Sequence, residues 1–550
     1  MDITSLIGAC AVIAVTSGFA PHETKTEQVG ERTVVWYEHG TDPAWGASRQ
    51  FTDKFTVARP VSGDRNGAPL LVQLHGRGGG KPNGGILSLY KTCTDTDSVY
   101  ACPGDFYVLA LDSTRDFDVA ANKTHDEFWW GGSHKFSGPA KGDVPRIRKG
   151  LTSCEKRVLA TVEWVIEKYA IDRDRVYLCG NSMGGQGALA IGLPHGDIFA
   201  AVNANVPATI WFPVARMGFV KDDGSDDTAF DASKFPDPPV CVDWSGSDDV
   251  WSRDHEILYR NMAAHKYFLL GLWGDYGHCG SVSQAKAKNP EVGRFDWLSI
   301  RRNAAYPVFT NASTDDALPW PFRNFKPNVN TWGGWAGDIR GDSPKEIAAG
   351  AKPAGQVNAY FRWENVRDEK KGIVMNLWTD GVDESTADVT LRRVQGVPAK
   401  AGRKAKWSFA GKKGTVTADE TGHVTIPGLK MTSARQKLAV KWLEDDRHAT
   451  TRRAAGTCLP LGFRRADQGE DREALGCDSG GQPVGDDSGL PGRDVGKVAF
   501  LERAVVGRDD VPEGVARSVV GQAHEGLRQP LGLPQGGVDE GEAPRSARMA

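Results

Sequence analysis

The sequence predicts an α/β domain built on a doubly wound, mostly parallel sheet, followed by a small β-sandwich and a disordered tail. Three observations carry this reading. Between about residues 28 and 300, short β-branched runs alternate with longer amphipathic or alanine-rich stretches, the pattern of a sheet with helices on both faces. From 301 to 445 the long stretches vanish and short strands follow one another between Gly, Asp and Lys turns. Beyond 446 bulky apolar residues become scarce. At 550 residues the chain exceeds one ordinary core, since a domain takes roughly 150 residues. Its formal net charge of −3, with no dense basic stripe along the chain, argues against nucleic acid as a partner and for a neutral or modestly polar substrate.

Residues 1–27 read as a leader. Leu6 to Val15 is an apolar run followed by small residues, similar to the core of a secretory signal and too short to span a bilayer. Secretion or a periplasmic location is the expectation. Asp2 and the lack of Lys or Arg before the run depart from that pattern, so a misassigned or truncated start is the alternative. Cys10, in IGAC, resembles a lipoprotein acylation site.

In the 28–300 segment, strands are expected at RTVVWYE, FTVA, PLLVQLHG, FYVLALD, RVYLCG, AAVNANV, PPVCVDWSG and YFLLGLWG. A helix is expected over Ser153–Tyr169, where Val158, Leu159, Val162, Val165 and Ile166 recur at helical spacing. In the 301–445 segment the strands are VNAYFRW, GIVMNLW, DVTLRRV, AKWSFA, GTVTAD and KLAVKW. Their aromatics suit a sandwich core better than a carbohydrate platform. Cys93 and Cys102 bracket a loop that a disulfide would close in an oxidising compartment, whereas Cys179 and Cys241 lie in apolar runs as buried thiols.

From Thr451 to Ala550 there is no Ile, Asn, Trp or Tyr, and one Lys stands against twelve Arg. Too little apolar surface remains to offset the entropy of ordering. The missing residue types largely have AT-rich codons and the enriched ones GC-rich codons. Read-through in a shifted frame after about residue 446 is one account, and a natural disordered tail the other.

Chemistry concentrates in RVYLCGNSMGGQGALAIG. Gly180, Asn181, Ser182, Met183 and Gly184 form a G-x-S-x-G pattern between an expected strand and an expected helix, where a sharp turn lifts the serine hydroxyl above the sheet. A serine becomes a nucleophile when a base takes its proton. Acyl transfer also needs donors for the oxyanion. Met183 supplies one backbone N–H, and Gly76 or Arg77, in His75-Gly76-Arg77-Gly78-Gly79-Gly80, supplies the second. His75 is read as structural. The acid and base should each follow a strand, in the order Ser, Asp or Glu, His. His278, at the end of YFLLGLWGDYGH, is the base; Asp248 is preferred as the acid and its neighbour Asp249 is the alternative. Trp129, Trp130, Trp211 and Trp251 follow strands on the site side and offer flat surfaces for a sugar or phenolic ring, with core packing as the other reading of each. Histidines are scattered and no Cys or His pairs fall at ligand spacing, so neither a metal nor a cofactor is expected.

GNSMGGQGAL and the glycine loop after His75 resemble the α/β-hydrolase superfamily, in its esterase branch of feruloyl esterases, acetylxylan esterases and polyhydroxybutyrate depolymerases. The similarity runs over roughly residues 28–300. It implies a serine esterase acting through a catalytic triad, on esters that include polymeric ones, polysaccharide or polyester. Depolymerases more often carry a small residue where Met183 stands. Cys279 beside His278 is similar to tannase-like feruloyl esterases, yet their partner cysteine directly precedes the serine, where this chain has Asn181. A prolyl-oligopeptidase-like peptidase shares the triad, but the 30 or so residues before the first strand leave no room for the propeller that usually caps such sites. A non-catalytic carbohydrate-binding protein is the reading outside enzymes, and the complete Ser182, Asp248 and His278 set stands against it.

Overall fold

In the computed structural model the described residues are 19–443, apart from 48–49, 77–97, 119–122, 127–128, 130–146, 149, 209, 223–226, 228–234, 247–248, 250–254, 275–276, 279–285, 288–289, 319–351, 353 and 398–399. The chain up to Leu459 is one compact unit. The second unit, Pro460–Ala550, and with it the expected tail, lies outside the described residues.

The first part is a ten-stranded sheet. Its strands are β1 (His22–Val29), β2 (Arg32–Gly40), β3 (Thr52–Ala58), β4 (Leu70–Leu74), β5 (Tyr107–Leu111), β8 (Val176–Asn181), β9 (Ala201–Asn205), β10 (Val240–Gly246), β11 (Leu269–Gly274) and β13 (Gly355–Val357). A two-stranded ribbon, β6 (Thr114–Asp118) with β7 (Lys123–Asp126), stands apart from it. The order is β1-β2-β3-β5-β4-β8-β9-β10-β11-β13. Strands β5 through β11 run parallel, and the sheet turns antiparallel at both ends. Each run read as a strand between 28 and 300 forms one. The leader boundary is corrected, because β1 pairs with β2 from His22 onward and Phe19 is buried against His39 and Trp45.

Alternation along the strands separates two faces. Val35, Leu70, Val72, Leu109, Leu178 and Val202 point to one, against α1 (Ser153–Lys168), α2 (Met183–Gly192), α3 (Trp211–Arg216) and α4 (His255–Ala264). Helix α1 starts where Thr152 and Glu155 exchange hydrogen bonds in a capping box, and it buries the five residues whose spacing predicted it.

Val34, Leu71, Val108, Tyr177, Val242 and Leu270 point to the other face, where the described cover differs from the expected second layer of helices. Phe106, Val292 and Phe295 lie there with the core of the C-terminal strands. These are β12 (Tyr306–Thr310), β14 (Phe361–Glu369), β15 (Gly372–Thr379), β16 (Glu384–Arg392), β17 (Lys404–Phe409), β18 (Lys412–Thr417), β19 (Thr425–Thr432) and β20 (Gln436–Trp442). They form two antiparallel sheets, β12-β16-β19 and β14-β15-β20-β17-β18. Val389 and Ile426 from the first share an apolar cluster with Ile373, Leu438 and Phe409 from the second. The C-terminal part is keyed to the first by polar groups as well. Asn358 donates to the Leu269 carbonyl at 3.0 Å, and Arg392 pairs with Asp237. The boundary at 300 is therefore crossed by β13, which extends the first sheet.

Candidate active site

Strand β8 ends at Asn181 and α2 begins at Met183, leaving Ser182 alone to turn the chain. It does so at φ 58°, ψ −117°, a left-handed conformation that costs a non-glycine residue on the order of 1–3 kcal/mol. The turn closes only because its neighbours lack side chains. A Cβ on Gly180 would strike Gly184, and one on Gly184 would strike the Leu74 carbonyl. Gly76 passes close by, its Cβ position 3.5 Å from that of Ser182.

The strained serine is braced from both sides. Its N–H donates to the Asn205 carbonyl at 2.9 Å, and its own carbonyl accepts from Gln186 and Ala208. The buried Tyr100 hydroxyl donates to the Leu74 carbonyl and accepts from the Asn181 N–H, each at 3.0 Å, which ties the elbow to the end of β4. Burial raises the pKa of Tyr100, so it stays a neutral donor. Val206, just past β9, also has positive φ, rare for a β-branched residue.

The Ser182 hydroxyl lies 2.6 Å from His278 Nε2, and His278 Nδ1 lies 2.7 Å from Asp249 Oδ2. A carboxylate only accepts, so the ring proton sits on Nδ1 and leaves Nε2 to take the serine proton. The Asp249 side chain is 1% exposed and that of His278 15%, so the base is open to a substrate while the acid is sealed.

The preference for Asp248 is thereby corrected. Asp248 lies outside the described residues, and the carboxylate that meets the imidazole belongs to Asp249. Gly246, a residue the sequence reading passed over, allows the meeting. A Cβ there would fall 2.7 Å from the Gly277 carbonyl oxygen and 2.9 Å from Asp249 Cβ, so a glycine at the end of β10 lets the acid and base loops close.

Met183 follows the serine at the first turn of α2, and Gly76 is the described neighbour from the loop after β4; Arg77 lies outside the described residues. His75 has a structural place. The Ser113 N–H donates to its Nε2 at 3.0 Å, so its Nδ1–H donates to the Gly76 carbonyl. Trp129 is corrected from a substrate platform to a core residue. It is fully buried, donates to the His75 carbonyl at 3.1 Å and fills the space beside Gly187. Trp130, Trp251 and the Trp211 side chain lie outside the described residues, as do Cys93 and Cys279.

Residues 152–216, from the capping box of α1 through the elbow to the end of α3, match the prolyl oligopeptidase family model. The chain resembles the serine hydrolases of the α/β-hydrolase fold. Among solved structures, an S-formylglutathione hydrolase from Agrobacterium tumefaciens is similar at 12% identity over 47% of this chain and 92% of that one, TM-score 0.32. A ferulic acid esterase from the anaerobic fungus Anaeromyces mucronatus is similar at 19% over 48% and 93%, TM-score 0.29. A putative dipeptidyl aminopeptidase IV from Bacteroides ovatus is similar at 12% over 48% and 33%, TM-score 0.28. No curated protein matches the sequence. The described residues bring a serine, a histidine and an aspartate into one hydrogen-bonded line. Among the described residues no helix is long and apolar enough to cross a membrane.

Proposed function

We propose that the protein is a serine carboxylic-ester hydrolase working through an acyl-enzyme, with Ser182 as nucleophile, His278 as base and Asp249 as the acid that orients it. The observation that carries this is the continuous chain of 2.6 and 2.7 Å contacts from hydroxyl to imidazole to sealed carboxylate. His278 takes the serine proton as Oγ attacks the ester carbonyl. The oxyanion is held by backbone N–H groups of Met183 and of the loop beginning at Gly76, and the protonated imidazole returns its proton to the leaving alcohol. Water then attacks the acyl-enzyme with His278 again as base, releasing the acid and regenerating Ser182.

We take acetyl or hydroxycinnamoyl esters of polysaccharide as the natural substrates of an exported enzyme. The polar run Asn122, His125, Asp126 and Glu127 supports this, because it suits a sugar better than an acyl tunnel. Amide cleavage is the second reading, favoured by the prolyl oligopeptidase model over the elbow segment. Rates on acetylated xylan, methyl ferulate, a long-chain nitrophenyl ester, a polyester film and a peptide anilide, measured side by side, test both. The acetyl and feruloyl esters should be fastest. A faster anilide would replace the esterase by a peptidase, and efficient attack on the film would make it a depolymerase. Ser182→Ala should abolish nitrophenyl acetate turnover, by several orders of magnitude; comparable turnover in that variant would remove the serine from the chemistry.

A further inference from the structure

The outer face of the five-stranded sheet carries a groove of about 710 Å³. Strand pairing lays its floor in register. Arg367, Val374, Ala439, Ser408 and Lys413 form one row across β14, β15, β20, β17 and β18, and Glu369, Gly372, Lys441, Lys406 and Thr415 form the next. Small residues occupy the middle and cations surround them, with Lys371 and Lys437 completing the rim. Six cations face one carboxylate, in a chain whose net charge is −3. All six are exposed, and none forms an ion pair with a described carboxylate.

Lys406 and Lys441 stand directly opposite each other on adjacent strands, an arrangement that destabilises a sheet unless an anion lies between them. Lysines on an edge strand are explained by protection against edge pairing. That accounts for Lys413 on β18, but β17 and β20 are interior strands with both edges satisfied. The two lysines serve neither the sheet nor its edge.

We propose that this face binds a carboxylate-bearing polysaccharide, a chain of uronic acid units laid across the strands with its carboxylates between the Lys406–Lys441 pair and the rim cations. Five strands span about 19 Å, room for several sugars. Trp407 is the one aromatic among the groove's lining residues, and strand alternation sets its side chain on the face opposite Lys406 and Ser408, over Gly414, so the groove floor offers no row of rings on which successive nucleic acid bases would stack. Among described residues the exposed large apolar side chain is Val61, far along the sequence from these strands, so the face offers nothing to insert into a bilayer. The choice of a polysaccharide over other polyanions rests on the ester-hydrolase reading above, and the face would hold the polymer whose esters Ser182 cleaves.

The full-length chain and its Lys406→Glu/Lys441→Glu variant should be run in native gels containing polygalacturonate, neutral xylan or no polymer, at low and high salt. Polygalacturonate should retard the wild-type chain at least tenfold more than the variant, the retardation should fade with salt, and neutral xylan should retard neither. Nitrophenyl acetate turnover should be equal in both chains, which reports folding and tests the hydrolase independently. If the double variant does not fold, Lys406→Gln replaces it and should lose part of the retardation. Equal retardation of variant and wild type, or none of the wild type, overturns the proposal. So does tighter binding to a single-stranded oligonucleotide or to phosphatidylserine vesicles. Failure of turnover with binding intact would instead remove the ester-hydrolase reading and leave the binding face.

Discussion

At the scale of single residues, the acid shows how neighbours in sequence part in space. Asp248 and Asp249 share a loop, a strand and a charge, and the spacing favoured the first. The close approach of Gly246 to Gly277 presents the second to His278. Asp249→Asn should therefore lower kcat by about four orders of magnitude, because the imidazole loses its fixed tautomer. Asp248→Asn should leave kcat within the range of ordinary surface variants. Steady-state kinetics on nitrophenyl acetate separate the two, and the reverse ranking would return the role to Asp248. Trp129 carries the same lesson in the other direction: its place after the FYVLALD strand suggested a site wall, but its indole N–H is spent on the His75 carbonyl inside the core.

Among the elements, α1 was legible to within one residue because its signals are local. Its apolar spacing lies within the helix that it defines, and the capping box that starts it joins residues only three apart, Thr152 and Glu155. Its connection to α3 was not legible. The buried Glu155 carboxylate is held by Arg216 at 2.6 Å, 61 residues away, and burial raises its pKa despite that partner. Removing the cation strands a buried carboxylate, a change that costs about 3–5 kcal/mol. Urea unfolding of Arg216→Ala should show a loss of that order. A loss below about 1 kcal/mol, the level of an exposed pair, would mean that water reaches Glu155.

For the molecule as a whole, the C-terminal sheets act as cover for the catalytic sheet rather than as an appended module. Ending the chain at residue 300 would uncover Val242, Phe268 and Leu270 and remove β13 from beside β11. That fragment should be insoluble, and a soluble, active one would show that the cover is dispensable. Ending it near 446 should leave activity and melting temperature unchanged, since the composition beyond lacks a core. Acid should loosen the C-terminal part first. Burial, with Arg392 nearby, pulls His423 down to about 4 against the opposing charges of Asp237 and Asp419, and burial also lowers His265. The fold thus prefers the neutral imidazole. Its contribution is complete above pH 6.5, the ordinary histidine value, and shrinks as pH falls toward 4. Melting temperature followed from pH 7.5 to 4 should drop across that window, and less steeply in His423→Gln.

Neighbours along the chain were enough to place the parallel strands, the α1 helix, the serine at its glycine-flanked turn and His278 after its strand. Those signals survive because period-2 and period-3.6 patterns and tight turns are set within a few residues. Contacts between distant segments settle which of two adjacent aspartates meets the base, that Trp129 is core, and what covers the second face of the sheet. They also gather the basic face. No stretch of the chain is densely cationic, yet Lys406 and Lys441, 35 positions apart, become neighbours when β17 pairs with β20. Charge density on a surface is set by which strands pair, and pairing between distant segments leaves no mark on the sequence of either.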